Sequence, residues 1–207
     1  MTTPYIAFEG IEGTGKSTIA ERLAAHLEEC GVDVLFVREP GGTTVGEKIR
    51  RVLLEPHGAV APWAEALLFA AARAQLAHEV VGPALTEARW VVSDRSVYSS
   101  LAYQGGGRGL GVDVVRSINE PGLGDVWPAL VVLLELDAAT GLDRQLEADR
   151  IGAEGARFQS LVGDTFSMLA DAEPERFVKV NAAGDIESVW HQVVAHVEER
   201  WLIPLPE

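Results

Sequence analysis

Five short apolar runs punctuate the chain: Tyr5–Glu9, Asp33–Glu39, Trp90–Asp94, Ala129–Leu136 and Phe177–Asn181. Most are continuously apolar rather than alternating, the pattern of parallel strands covered on both faces. Stretches of helical character separate them: Lys16–Cys30, Thr44–Leu54, Pro62–Val81, Val112–Asn119, Glu154–Ala172 and Ile186–Trp201. In the first, Ile19, Leu23 and Leu27 recur four apart and so share one helix face. Gly31 falls where the C-cap of that helix belongs. Strand and helix thus alternate, which predicts an α/β fold: a three-layer α/β/α sandwich with a five-stranded parallel sheet. Ligands of such sheets bind at the carboxyl ends of the strands. The turn-rich segments Pro40–Thr44, Gly105–Gly111 and Gly122–Trp127 read as working loops. No internal repeat or linker interrupts the pattern, so residues 1–207 are expected to form a single domain.

Composition narrows the setting. A hydrophobic share of 47% suits a sizeable core, and no apolar run approaches the ~20 residues a bilayer span needs. The N-terminus runs straight into a strand without a charged start and apolar signal core. One cysteine, Cys30, cannot form an internal disulfide. Together these lead us to expect a cytoplasmic protein with no membrane partner. The net charge of −14 repels nucleic-acid polymers, so an anionic ligand must be small and met by cations gathered locally. The cations are 14 arginines and three lysines, and Lys16 is one of those lysines.

Lys16 belongs to the run GIEGTGKS, residues 10–17, a complete phosphate-binding loop placed between the first strand and the first helix. Gly10, Gly13 and Gly15 let the backbone curl so that its N–H groups point into one concavity, and the helix start adds its positive dipole end. Lys16 can then reach the outer phosphates of a nucleotide, and the Ser17 hydroxyl can ligate Mg²⁺. The third strand ends in Ser93-Asp94-Arg95, beside that loop. Asp94 is placed to hold Mg²⁺ directly or through water, and Arg95 to clamp a phosphate. Ser99, Ser100, Tyr103 and Gln104 follow at helix-like spacing along one flank, which suits a nucleobase and its sugar. Phe69 and Arg73 lie four apart on one face of a helix, where a ring can stack on a base and a guanidinium bond its carbonyl edge. Taken alone, Phe69 also reads as core and Arg73 as a surface side chain.

These segments together resemble the thymidylate kinases: FEGIEGTGKST at the start, REPGGT at 38–43, LLFAAARAQL at 67–76, SDRSVYSSLAYQGGGRGL at 93–110 and DRIGAEGARF at 149–158. The resemblance implies a fold of the P-loop nucleoside monophosphate kinase type and transfer of the γ-phosphoryl of ATP to dTMP, with ATP and Mg²⁺ required. It implies that Gly10, Ile11, Glu12, Gly13, Thr14, Gly15, Lys16 and Ser17 hold the ATP phosphates. Glu12 would stand near the acceptor sugar and Pro40 would follow a cis peptide bond beside the acceptor. Phe69 would stack on thymine, Arg73 would bond its edge, and Arg95 would grip the dTMP phosphate. Ser99, Ser100 and Gln104 would line the base pocket, and Tyr103 would crowd the sugar's 2′ position. The family's homodimer is implied too. With glycine at position 13 the phosphate-binding loop offers no arginine, so a short lid around 144–158 is expected to supply one: Arg150 first, Arg144 and Arg157 as alternatives. The chain departs from the pattern at Ser96, Ala129 and Gly152 and in the short stretch Arg144–Asp149. The rival expectations are another nucleoside monophosphate kinase and a non-catalytic nucleotide-binding relative.

Overall fold

A computed structural model describes residues 4–55, 59–144 and 150–201. The five expected strands are present as β1 (Tyr5–Glu9), β2 (Val34–Arg38), β3 (Trp90–Asp94), β4 (Leu130–Glu135) and β5 (Phe177–Asn181). All pair in parallel, in the order β2-β3-β1-β4-β5. The chain thus leaves β1 toward one edge and later returns to its other side. That reversal opens a crevice above the carboxyl end of β1.

Each strand feeds two cores. Ile6 and Phe8 of β1 and Val132 and Leu134 of β4 face Ile19, Leu23 and Leu27 of α1 (Lys16–Glu29) and Val189, Val193 and Val197 of the last helix, Ile186–Trp201. Val131 and Leu133 face the opposite way, onto Leu101, Val115, Val162 and Phe166. Tyr5, Ala7, Val37 and Val91 close the remaining corner on Leu76, Val81 and Ala84. Neighbouring residues therefore serve opposite layers, which is why the central runs β1, β3 and β4 show no polar alternation, whereas the edge strands β2 and β5 expose part of one face.

The helices depart from expectation in three places. After α2 (Thr44–Leu54), α3 (Pro62–Leu76) does not end near Val81. It widens into a π-turn at Ala77–Val81 and continues as α4 (Gly82–Thr86). The Gly82 N–H bonds the Ala77 carbonyl five residues back, so Gly-Pro, normally a stop, is absorbed by the wider turn. The glycine-rich segment after β3 is not a free loop either. The short α5 (Val97–Ser100) runs on as a π-helical stretch, Leu101–Gly107. A Cβ at Gly106 would lie 1.9 Å from Thr165 Oγ1, and one at Gly107 2.7 Å from the Phe158 ring. These glycines permit close packing against α8 (Ala156–Ala172) rather than mobility. One short helix also lies outside the periodic pattern. After α6 (Val112–Leu123), α7 (Ala138–Arg144) follows β4, with the Asp137 carboxylate accepting the Thr140 N–H at 2.9 Å. The last helix is α9 (Ile186–Trp201).

Candidate active site

The phosphate-binding loop turns at Gly13 (φ 75°) and Gly15 (φ 84°), left-handed positions open to glycine, and Gly15 caps α1. Gly13 is also pressed from outside: a Cβ there would sit 1.9 Å from the Gly141 carbonyl oxygen of α7. Lys16 is buried, and its ammonium donates to the Ile11 carbonyl at 2.6 Å and to Thr14 Oγ1 at 3.3 Å. Burial pushes its pKa down to about 8. The charge of Arg95 adds to this, while Glu12, Asp94 and Glu9 oppose it. Ser17 Oγ donates to Asp94 Oδ2 at 2.6 Å. The other oxygen, Asp94 Oδ1, is buried and has no partner among the described residues. The register Phe8↔Asp94 brings that carboxylate beside the loop.

Arg95 adopts φ 72°, and its N–H bonds the Phe8 carbonyl at 3.1 Å. This bend turns its guanidinium back over the loop. There it donates to Glu12 Oε1 at 2.5 Å and to Ser99 Oγ at 3.1 Å. Tyr103 Oη donates to the same Glu12 oxygen at 3.1 Å. Burial alone would raise the pKa of Glu12, but Arg95 and Lys16 more than reverse that and hold it near about 2. A cavity of about 350 Å³ runs between these groups. From the phosphate-binding loop and the end of β3, its lining includes Glu12, Gly13, Gly15, Lys16, Ser17 and Asp94. It also includes Arg95, Phe69, Ser99, Ser100, Tyr103, Gln104 and Pro40. The Glu39–Pro40 bond is cis. Ser100 Oγ is buried with no partner among the described residues, a polar group left for a ligand. Gly10 and Ile11 form the back of the loop and line a different hollow, while Thr14 Oγ1 bonds the Ile11 carbonyl at 3.0 Å.

Two expected arginines are placed elsewhere. Arg73 does not line the cavity. Its three nitrogens donate to Glu39 (2.6 Å), Asn119 (2.6 Å) and the Ser96 carbonyl (3.2 Å). Glu39 is buried, which raises its pKa, and the Arg73 charge opposes that rise. A buried carboxylate holds its cation more firmly than solvent would. Arg150 likewise has no described contact with the phosphate-binding loop. It donates to Glu65 at 2.7 Å and to the Leu53 carbonyl at 2.8 Å. Of the alternatives, Arg144 bonds the carbonyls of Ala182 and Ala183, and Arg157 is exposed on α8. Residues 145–149 of the expected lid lie outside the described residues.

Further residues with no role expected from the sequence also belong to the site. Arg38 and Arg50 line the cavity with Arg95 and Lys16, so four cations face it. Fully buried Glu9 accepts from the N–H and Oγ of both Ser96 and Ser99, at 2.6–3.1 Å. Ser96 Oγ thus bonds Glu9 and also accepts the Tyr98 N–H as the N-cap of α5, two roles for one hydroxyl. Glu65, also fully buried, lies four residues before Phe69 and eight before Arg73. The spacing puts these three residues on one face of α3, which was the available signal.

Comparison with known proteins gives a consistent result. The sequence model of the family "Thymidylate kinase" matches residues 8–193. A thymidylate kinase of Pelotomaculum thermopropionicum is 42% identical over 204 residues, covering 96% of this chain and 94% of that protein. One from Deinococcus radiodurans is 42% identical over 199 residues, covering 95% and 97%. Among solved structures, the crystal structure of thymidylate kinase from Ehrlichia chaffeensis superposes with a TM-score of 0.78 at 30% identity, covering 94% of this chain and 98% of that one.

Proposed function

The chain belongs to the thymidylate kinase family, and from that premise we propose how its residues move the γ-phosphoryl group of ATP to dTMP, giving dTDP and ADP. The observation that carries the proposal is the continuity of the cavity. One hollow is lined both by Lys16, Ser17 and Asp94 and by Arg95, Ser100, Gln104 and Phe69. Donor and acceptor phosphates thus meet in one space, which is what positioning catalysis needs.

At the loop, the turn Gly13–Ser17 cradles the ATP phosphates with backbone N–H groups, with Gly10 and Ile11 behind it, and Lys16 neutralises the outer ones. Unpartnered Asp94 Oδ1 and the neighbouring Ser17 hydroxyl are hard oxygens and fit Mg²⁺, which when bound spreads the phosphate charge. At the acceptor end, Arg95 exchanges Glu12 for the dTMP phosphate, with Arg38 and Arg50 beside it. Phe69 stacks on thymine, and Ser99, Ser100 and Gln104 meet its edge and sugar. No general base is needed, because the attacking phosphate oxygen is already anionic. Arg73 acts behind the site by holding Glu39, which itself lines the cavity. Arg150 can serve the transferring group only by breaking its pair with Glu65, so we assign the charge there to Lys16 and Arg95.

Residues 1–207 act as one domain with a short lid at 144–158 in this reading, in the cytoplasm and as a homodimer. Among the described residues no helix is long and apolar enough to cross a membrane. Support for the dimer is the exposure of the apolar side chains Val52, Trp63 and Leu67 on the neighbouring helices α2 and α3. ADP release measured with dTMP, dUMP, UMP and thymidine in turn tests the whole. Strong dependence on dTMP is expected. Equal release without any acceptor, or a preference for UMP, defeats the reading.

A further inference from the structure

We propose that Glu65 is a positioning residue for the acceptor site, fixing from behind the cavity wall which way the amide of Gln104 faces the base. The proposal rests on the reading that dTMP is the acceptor. Glu65 is fully buried near the start of α3 and does not line the cavity. Its Oε1 accepts from Gln104 Nε2 at 2.9 Å and from Arg108 Nε at 3.1 Å. Its Oε2 accepts from Arg108 Nη2 at 3.1 Å and from Arg150 Nη2 at 2.7 Å. Arg108 completes the cluster with Glu154 at 2.5 Å, so two carboxylates balance two guanidiniums. Burial alone would raise the pKa of Glu65, but the donors from Arg108, Gln104 and Arg150 bring it below its ordinary value, and the group stays ionised.

Three separate segments of the wall meet at this one carboxylate. Gln104 lines the cavity and bonds Glu65 directly. Ile151 lines it next to Arg150, and Leu54 next to Leu53, whose carbonyl takes Arg150 Nε. The end of α2, the π-helical stretch and the chain after residue 149 are therefore drawn to one point.

The chemical consequence falls on Gln104. An ionised carboxylate can only accept, so the Gln104 amide must turn Nε2 toward Glu65 and leave Oε1 for the cavity. An acceptor facing the base suits the N3–H of thymine. Against cytosine, whose N3 is an acceptor, it sets lone pair against lone pair. The base preference expressed at Gln104 is then set one residue deeper, at Glu65. This is how a buried polar contact discriminates between ligands of nearly equal shape.

The test is Glu65→Asp, which keeps the charge the two arginines need but withdraws it by one methylene. Glu65→Gln, which keeps the length but can offer either end of an amide, is the second variant. For each, kcat and KM are measured with dTMP and dCMP, alone and combined with Gln104→Ala. We expect KM for dTMP to rise about tenfold with kcat changed only a few-fold, and the dTMP-over-dCMP ratio of kcat/KM to fall about tenfold or more. Either Glu65 variant should add little to the loss caused by Gln104→Ala, because both act through the same amide. An unchanged ratio in folded variants, effects that simply add to those of Gln104→Ala, or failure of both variants to fold would assign Glu65 to stability alone and overturn the proposal. A wild-type chain inactive on dTMP would instead remove the functional reading itself.

Discussion

Lys16 illustrates how much a single residue's surroundings change its chemistry. A lysine ordinarily keeps its proton to about pH 10.4. Here burial brings the pKa down to about 8, with Arg95 adding to the effect. A polyphosphate beside the ammonium must raise that value again. Between the free and bound pKa values, binding therefore takes up a proton. At about pH 8.5 we expect the calorimetric enthalpy of ATP binding to differ between buffers of high and low ionisation enthalpy. Lys16→Arg, always charged, should abolish the difference, and equal enthalpies in the wild type would show that Lys16 is not depressed. Tyr103 makes a second residue-scale case. Its hydroxyl bonds Glu12, yet its ring lines the cavity, so shape and hydrogen bond are separable. Tyr103→Phe should keep the preference for deoxyribose, and Tyr103→Ala should relax it by about tenfold. Undiminished rejection of ribothymidine monophosphate by Tyr103→Ala defeats the steric role. Residues in contiguous motifs, such as Lys16, Ser17, Asp94 and Arg95, were legible because strand, turn and helix fix their placement locally. Arg73 and Arg150 were not. Helical spacing names a face, but their partners Glu39 and Glu65 lie 34 and 85 residues away in sequence.

At the scale of elements, the strands were read almost to the residue because burial on both faces leaves an uninterrupted apolar run. The π-turns were not, since a widened turn has no periodicity of its own, and Gly105–Gly107 looks the same in sequence whether it is loose or tightly packed. α7 was missed because it is a short helix placed by contact rather than by pattern. Its contact with the phosphate-binding loop is backbone on backbone: a Cβ on Gly141 would lie 2.5 Å from the Glu12 carbonyl oxygen, the counterpart of the clash at Gly13. Gly13→Ala should therefore destabilise the fold by ~1–3 kcal/mol through overpacking, with a further contribution from φ 75°. For a chain of this length that is a loss in Tm of ~2–4 °C per kcal/mol. An unchanged Tm would mean that α7 yields without cost.

The molecule as a whole carries a net charge of −14 yet gathers Lys16, Arg38, Arg50 and Arg95 around one cavity. Glu12, Glu39 and Asp94 share that lining, so four cations face three carboxylates and the cavity carries a local positive excess on an acidic molecule; polymeric anions are repelled while a small one is received. The exposed face of α2 and α3 is the other whole-molecule feature, and α3 also carries Phe69 into the cavity wall and Glu65 behind it. Leu67, more than half exposed, is the probe. Leu67→Glu should shift the mass seen by light scattering from two chains to one, and a wild-type chain already monomeric would rule the dimer out. The contact between Gly13 and Gly141 reaches further still. A protein of this architecture that placed its catalytic arginine within the phosphate-binding loop would need a side chain where the α7 carbonyl now lies. Neither change is tolerable first: arginine at 13 strikes α7, and retreat of α7 strips the loop of its packing before an arginine is there to fill the gap. The two ways of supplying that charge are separated by a gap that no single substitution crosses, so a lineage or a designer passing between them has to alter the loop and the helix in concert.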